Sequence, residues 1–358
     1  MKTSTAKKTT ALVKKKIIPD SFVQEFLRFD NSKSSKNKKN KVKTLEKVKN
    51  LANNLKKEII GQNAAIDNLV EKIKQSYLKL SQNPNKPQVS MLFLGPTGVG
   101  KSQTAKSLAN HLLSKEKIIR IDMSDYAEKH TVARLVGSPP GYVGYGEGGV
   151  LTNFIEVNYK CVVLFDEIEK AHRDVLNIML QILEEGEIQN GEGEIINFKK
   201  CYVILTSNLG VELINKDSIG FLNHDYDIKN KHTEEKLKDN LKKKVKPEIL
   251  NRLDSVVVFN LLKKQDVRKI LDKELDFLKG ILVKKHNVDL RVPLDVKDFL
   301  LKKGYNKEYG AREIKRCIEH NLTDKVADFI LTSKKLDKKA KKPLKVVAKI
   351  DGGLVKVA

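Results

Sequence analysis

Cysteine is scarce in this chain: Cys161, Cys201 and Cys317 are the only three, an odd number, widely spaced, with no C-x-x-C pair and no clustered histidine. That excludes a disulfide scaffold and a thiolate zinc site, and it points to free thiols in a reducing compartment. Long apolar runs are missing as well, since none reaches the roughly 18 residues a membrane span requires. No signal-peptide core precedes a small-residue cleavage site, so a soluble protein with no membrane partner is expected. The first 19 residues contain no acidic residue, a feature shared with organelle transit segments, but they contain no Arg either. The expected location is therefore cytoplasmic, with a plastid-type organelle stroma as the alternative. There is no internal repeat.

Acidic residues are outnumbered, 45 against 69 Lys and Arg, which leaves a formal charge of +24. Such a balance suits nucleic acid or an acidic surface, although Lys also makes the solvated face of many helices. Much of the excess is local. Lys33, Lys36, Lys38, Lys39, Lys41 and Lys43 lie among Ser and Asn, and a second cluster runs from Lys334 to Lys342. Both read first as flexible, solvated segments and second as docking tails, because they carry too little apolar surface to order themselves. A chain of 358 residues exceeds a single core and should divide into two lobes.

The segment Gly95-Pro96-Thr97-Gly98-Val99-Gly100-Lys101-Ser102 follows the apolar run 89–94 and precedes Ala105, Leu108, Ala109 and Leu112 at helical spacing. Strand, glycine loop and helix in that order fit G-x-x-x-x-G-K-[ST], whose backbone N–H groups turn inward around phosphate oxygens at a helix N-terminus. Lys101 would reach the β- and γ-phosphates of a nucleoside triphosphate, and Ser102 would hold Mg2+. A second run, Val162-Val-Leu-Phe-Asp166-Glu167, ends a strand in two carboxylates. Opposite a phosphate loop, Asp166 would complete the Mg2+ shell, and Glu167 would polarise the water that attacks the γ-phosphate. Leu205-Thr-Ser-Asn208 ends a further strand in an amide that either faces the γ-phosphate or starts a turn.

Between and beyond these motifs the pattern is α/β. Leu45, Val48, Leu51 and Leu55 form one stripe, which predicts a helix beginning near Thr44, and a second helix carries Ile66, Leu69, Val70, Ile73 and Tyr77. Short apolar runs without alternation at 117–121, 161–165, 201–206 and 255–259 predict strands covered on both faces, as in a parallel sheet flanked by helices. Beyond Leu261 the signal is helical to about Thr332, with a terminal strand near 344–350. The expected organisation is a basic tail at 1–42, a large α/β domain at 43–260, a small, mainly helical lid at 261–334, and a Lys-rich C-terminal segment at 335–358.

With these motifs the chain resembles the Clp unfoldase family of AAA+ ATPases, most of all the second ATPase module of its ClpA, ClpB and ClpC members, over roughly residues 43–334. The likeness includes Gly137-Ser-Pro-Pro-Gly-Tyr-Val-Gly-Tyr-Gly-Glu-Gly-Gly149, Asp166-Glu-Ile-Glu-Lys-Ala-His172, Pro247-Glu-Ile-Leu-Asn-Arg-Leu-Asp254 and Tyr309-Gly-Ala-Arg312. The resemblance implies an AAA+ P-loop fold with Asn208 as first sensor and Arg312 as second sensor. It makes Arg252 an arginine finger toward the neighbouring subunit, and Ile59, Ile60 and Gly61 the adenine pocket. A trans arginine implies a hexameric ring, homomeric or mixed. Tyr142, Val143 and Gly144 would form the pore loop that grips protein substrates, and Gly186–Gly193 a second, less specific loop.

Ile219-Gly220-Phe221 resembles the family's docking tripeptide for a ClpP-type peptidase. The chain departs from the pattern in having Glu313 after the Gly-Ala-Arg, where members often have Pro. It shows no first ATPase module, no folded substrate-recognition domain and no coiled-coil insertion. The expected function is ATP-dependent protein unfolding that feeds a peptidase. A remodelling or disaggregating chaperone without a peptidase is the alternative, and a self-sufficient disaggregase is not expected. A nucleic-acid motor is the reading from another class: the basic tails favour it, but the Tyr-Val pore and the lack of a second DNA-binding motif speak against it. A non-hydrolysing subunit of a mixed ring conflicts with the intact Lys101, Asp166, Glu167 and Arg252. The basic first 42 residues are open to an adaptor, a nucleic acid or another subunit.

Overall fold

The computed structural model describes residues 35–78, 83–209, 247–306, 309–333 and 342–357, with side chains from residue 43 onward. The chain enters on α1 (Ser35–Glu58) and α2 (Asn63–Tyr77). α1 starts well before Thr44, inside the run expected to be tail. Its stripe of Leu45, Val48, Leu51 and Leu55 is buried, and once that packing has nucleated a helix, Lys-rich sequence propagates it readily.

Then follow β1 (Val89–Leu94), α3 (Lys101–Leu112), β2 (Ile118–Asp122), α4 (Thr131–Val136), α5 (Val150–Val157), β3 (Val162–Asp166) and α6 (Arg173–Glu185). A hairpin of β4 (Glu187–Gln189) and β5 (Ile195–Asn197) leads to β6 (Tyr202–Ser207), α7 (Pro247–Arg252) and β7 (Ser255–Val258). Five strands form a parallel sheet in the order β2-β3-β6-β1-β7. Every residue of β1, β3 and β6 is buried, which is why their sequences run apolar without alternation. Met91, Phe93, Leu164 and Ile204 face one core with α1, α2 and α3, whereas Leu92, Leu94, Phe165 and Leu205 face a second with α5 and α6.

The lid comprises α8 (Lys264–His286), β8 (Val288–Arg291), α9 (Leu294–Gly304), α10 (Ala311–Ile318), α11 (Asp324–Thr332), β9 (Leu344–Asp351) and β10 (Leu354–Val357). It is not only helical. β8 pairs in parallel with β9, and β9 in antiparallel with β10, in a three-stranded sheet. The four residues of β8 alternate Val288 and Leu290 inward against Asp289 and Arg291 outward, too short a run to stand out between two helices. This pairing makes the terminal strand part of the lid rather than a separate segment. Val346 and Val355 join Leu271, Leu300 and Ile314 in the core that also holds Phe93 and Ile66, so one apolar interior runs through both lobes.

Cys161 and Cys201, far apart in the sequence, precede neighbouring strands and bring their sulfurs within 3.7 Å; both are free thiols. No helix among the described residues is long and apolar enough to cross a membrane.

Candidate functional site

A cleft of about 540 Å3 lies at the C-terminal ends of the central strands, between sheet and lid. Its floor is the turn 97–102. The loop leaves β1, takes Gly100 through a left-handed conformation and enters α3 at Lys101. Gly98 shows why glycine is required there. A Cβ on it would stand 2.1 Å from the Tyr309 carbonyl oxygen, and the Ala311 N–H donates to the Gly98 carbonyl at 2.9 Å. The lid backbone rests directly on the phosphate loop, and Arg312, in the first turn of α10, reaches the cleft wall.

Lys101 is buried and donates to the carbonyl oxygens of Gly95 and Pro96 and, at 2.8 Å, to Asn208 Oδ1. Burial pushes its pKa down to about 8, against the upward pull of Asp166, Glu169 and Glu167. An ammonium left short of charge compensation in a cavity this size is prepared for an anionic ligand.

Asp166, also buried, accepts from Arg120 Nε at 2.8 Å, from Ser102 Oγ at 3.1 Å and from the Thr206 hydroxyl. Glu167 sits at φ 59°, in left-handed space that costs a non-glycine residue about 1 kcal/mol or more. Its N–H is held by Thr206 Oγ1 at 3.1 Å, and its carboxylate accepts from Asn208 Nδ2 at 3.0 Å and pairs with Lys170 at 2.5 Å. Asn208 thus bridges Lys101 and Glu167 through the two ends of its amide. Its own N–H donates to Glu169 Oε1 at 3.0 Å.

The expected adenine residues Ile59 and Ile60 line the cleft together with Leu262, Ile270 and Phe277, but Gly61 does not. It lies beneath Leu262 and Asp266, on the wall of a separate cavity. Gln62 stitches this corner by donating to the Asn260 carbonyl at 2.8 Å and accepting from the Asn260 N–H at 2.9 Å. Arg252 is outside the cleft of its own chain, at the end of α7, where it pairs with Glu184 of α6 and remains partly exposed. Thr206, Glu169 and Lys170 lie inside the quoted motifs but were given no role there, and Arg120 lies outside them. The signal for Arg120 was the polar pair Arg120 and Asp122 closing an apolar strand, which is informative only once β2 is known to lie against β3.

Away from the cleft, 137–149 forms a loop between α4 and α5. Tyr142 is 71% exposed and Val143 fully exposed. A short ladder shapes the tip, with Tyr142 N–H to the Pro139 carbonyl, Tyr145 N–H to the Tyr142 carbonyl and Ser138 Oγ to the Val143 carbonyl. At its base the Gly191 N–H donates to the Val136 carbonyl at 3.0 Å, so the loop stands on the β4–β5 hairpin that contains the other expected pore segment. Ile219, Gly220 and Phe221 lie outside the described residues.

Residues 86–256 match the family model described as AAA domain (Cdc48 subfamily), and 262–342 match that of the C-terminal, D2-small domain of ClpB protein. The chain belongs to the Clp family of AAA+ ATPases. This Clp-family chain is 46% identical to the chaperone protein ClpB of Prochlorococcus marinus over 81% of its own length and 33% of the relative's. It is 41% identical to the ATP-dependent Clp protease ATP-binding subunit ClpA homolog of Porphyra purpurea, over 81% of the chain and 36% of that protein. It is 45% identical to the chaperone protein ClpC1, chloroplastic, of Arabidopsis thaliana, over 77% and 30%. Among solved structures, a closed-state cryo-EM reconstruction of Hsp104 with ATPγS and FITC casein superposes with a TM-score of 0.74 at 35% identity, covering 87% of this chain and 52% of that one. The Clp-family chain thus spans about a third of the length of these curated relatives.

Proposed function

We propose that this chain is the ATP-hydrolysing motor module of a protein unfoldase. The observation that carries the reading is the convergence of Lys101, Asp166, Glu167 and Asn208 in one cleft that the lid's Arg312 also lines, with Asn208 hydrogen-bonded to both Lys101 and Glu167. Lys101 and the backbone of 98–102 would hold the β- and γ-phosphates of ATP, with Ile59 and Ile60 against the base. Ser102 Oγ and the Asp166 carboxylate, hard oxygen donors 3.1 Å apart, fit Mg2+. The metal, when bound, would neutralise charge on the phosphate oxygens. Glu167 would orient and polarise the attacking water once Asn208 turns from it to the γ-phosphate. Arg252, free of its own cleft, would reach the next protomer's phosphate, which requires a hexameric ring, homomeric or mixed.

Tyr142 and Val143, exposed on a glycine-flanked loop, would grip the substrate polypeptide without reading its sequence, because an aromatic ring offers apolar contact at low rotamer cost. Delivery to a ClpP-type peptidase through Ile219-Gly220-Phe221 is the fuller version. Peptidase-independent remodelling or disaggregation is the second reading, and the ClpB and Hsp104 likenesses favour it. An adaptor would supply substrates, and the setting would be cytoplasm or plastid stroma. The test is phosphate release and unfolding of a stable tagged protein. Glu167→Gln is expected to bind ATP without turnover, and Tyr142→Ala to hydrolyse ATP without unfolding. A Tyr142→Ala protein that unfolds substrate at the parental rate would remove the threading reading; Phe221→Ala keeping full co-sedimentation with the peptidase would count against docking through that tripeptide, and a parental chain that does not co-sediment at all would leave only the second reading.

A further inference from the structure

At the end of the sheet opposite the nucleotide cleft, four lysines meet. Lys117, Lys160 and Lys200 occupy the approaches to β2, β3 and β6, whose register aligns Ile118, Val162 and Tyr202 side by side. Lys47 joins them from α1, its Nζ donating to the Leu112 carbonyl at 3.2 Å. Tyr159, 60% exposed, is in their midst, with Lys200 Nζ 5.0 Å and Lys117 Nζ 5.8 Å from its ring centroid. Among the described residues none of the four takes part in an ion pair, whereas the adjacent Lys199 is paired with Glu187 at 3.0 Å. Lys160 is half-buried, and its pKa is lowered by burial and by the charges of Lys47, Lys117 and Lys200. Four ammonium groups without an ion-pair partner, two of them over the Tyr159 ring, repel each other, and a bound polyanion would relieve that repulsion.

We propose that this face docks an acidic segment of a polypeptide partner. Lysines act as separate point charges that suit a run of carboxylates. The two ammonium groups beside the Tyr159 ring already engage its π-system, so the ring is not the open platform on which single-stranded nucleic acid stacks its bases. Val157, 80% exposed at the end of α5 and three residues before Lys160, offers an apolar contact on the same segment. Because the nucleotide cleft is at the other end of the strands, the segment can bind without blocking ATP.

The experiment uses the full chain and a fluorescein-labelled peptide of about 12 Asp and Glu residues, followed by anisotropy at low salt and again where the Debye length has fallen below about 8 Å. The double variant Lys160→Glu, Lys200→Glu is compared with Lys284→Glu, Lys349→Glu, which changes net charge equally at exposed sites on α8 and β9. The proposal expects the first pair to weaken the peptide about tenfold or more and the second by less than about twofold, with the ATPase rate of both unchanged. Equal losses in the two pairs would mean diffuse attraction to a basic protein and overturn it. A single-stranded oligonucleotide of the same length that binds more tightly than the peptide, and is lost in the first pair alone, would overturn it in favour of nucleic acid.

Discussion

Raising the pH is expected to weaken ATP binding through one buried side chain. Lys101 carries a pKa of about 8 in the nucleotide-free cleft, below its ordinary 10.5, chiefly because burial disfavours the charged form. A bound triphosphate places negative charge on the ammonium and restores the ordinary value or a higher one, so above pH 8 binding takes up a proton. With the free group at about 8 and the bound group at 10.5 or above, affinity falls about 30-fold between pH 7 and pH 9.5. The same shift acts oppositely on the empty fold. Between about pH 8 and pH 10.5 the unfolded chain holds a proton that the folded chain has released, so the nucleotide-free protein gains stability as pH rises. The assay is titration of Glu167→Gln with a fluorescent ATP analogue across that range, paired with calorimetry in two buffers of different ionisation enthalpy to count protons. Lys101→Arg stays charged throughout and is expected to bind more weakly with a flat profile. A flat profile in the Lys101 protein, with no proton uptake, would mean that Lys101 does not gain its proton on binding ATP.

Two further outcomes follow from single contacts. Gly98→Ala drives a methyl group into the Tyr309 carbonyl and imposes left-handed φ on alanine; thermal unfolding is expected to show a loss of about 1–3 kcal/mol, with weakened nucleotide binding because the lid must lift. Gly141→Ala, where no atom lies within 4 Å, incurs the backbone strain alone and leaves binding intact. Glu169→Ala frees the Asn208 N–H and is expected to lower kcat roughly tenfold with little change in nucleotide Kd; Glu169→Gln, whose amide oxygen can still accept that N–H, recovers most of the rate. A Glu169→Ala protein turning over at the parental rate would remove the positioning role.

The residues that meet in the cleft were legible because each group of them is local in sequence. Gly95 to Ser102 is a single turn, and Asp166-Glu167 and Asn208 each end an apolar strand, so motif and position coincide. What connects the parts was not legible. That Arg120 grips Asp166, or that Cys161 touches Cys201, depends on β2 and β6 both flanking β3, and strand order is not written in any one strand. The lid sheet escaped for a similar reason, since β8 has four residues and its partner β9 begins more than fifty positions later. The start of α1 was obscured by composition, because a Lys- and Asn-rich run reads as solvated chain until a buried stripe downstream makes it a helix.

Hydrolysis between protomers, with Glu167 of one chain and Arg252 of the next, is open to a direct complementation test. Glu167→Gln and Arg252→Ala proteins, each expected to lose most or all turnover alone, are to be mixed in equal amounts under conditions of subunit exchange and assayed for phosphate release. Random mixing leaves one interface in four with both groups intact, so recovery of about a quarter of the parental rate is expected if sites act independently. A mixture as inactive as its components, in rings shown to exchange subunits, would contradict it.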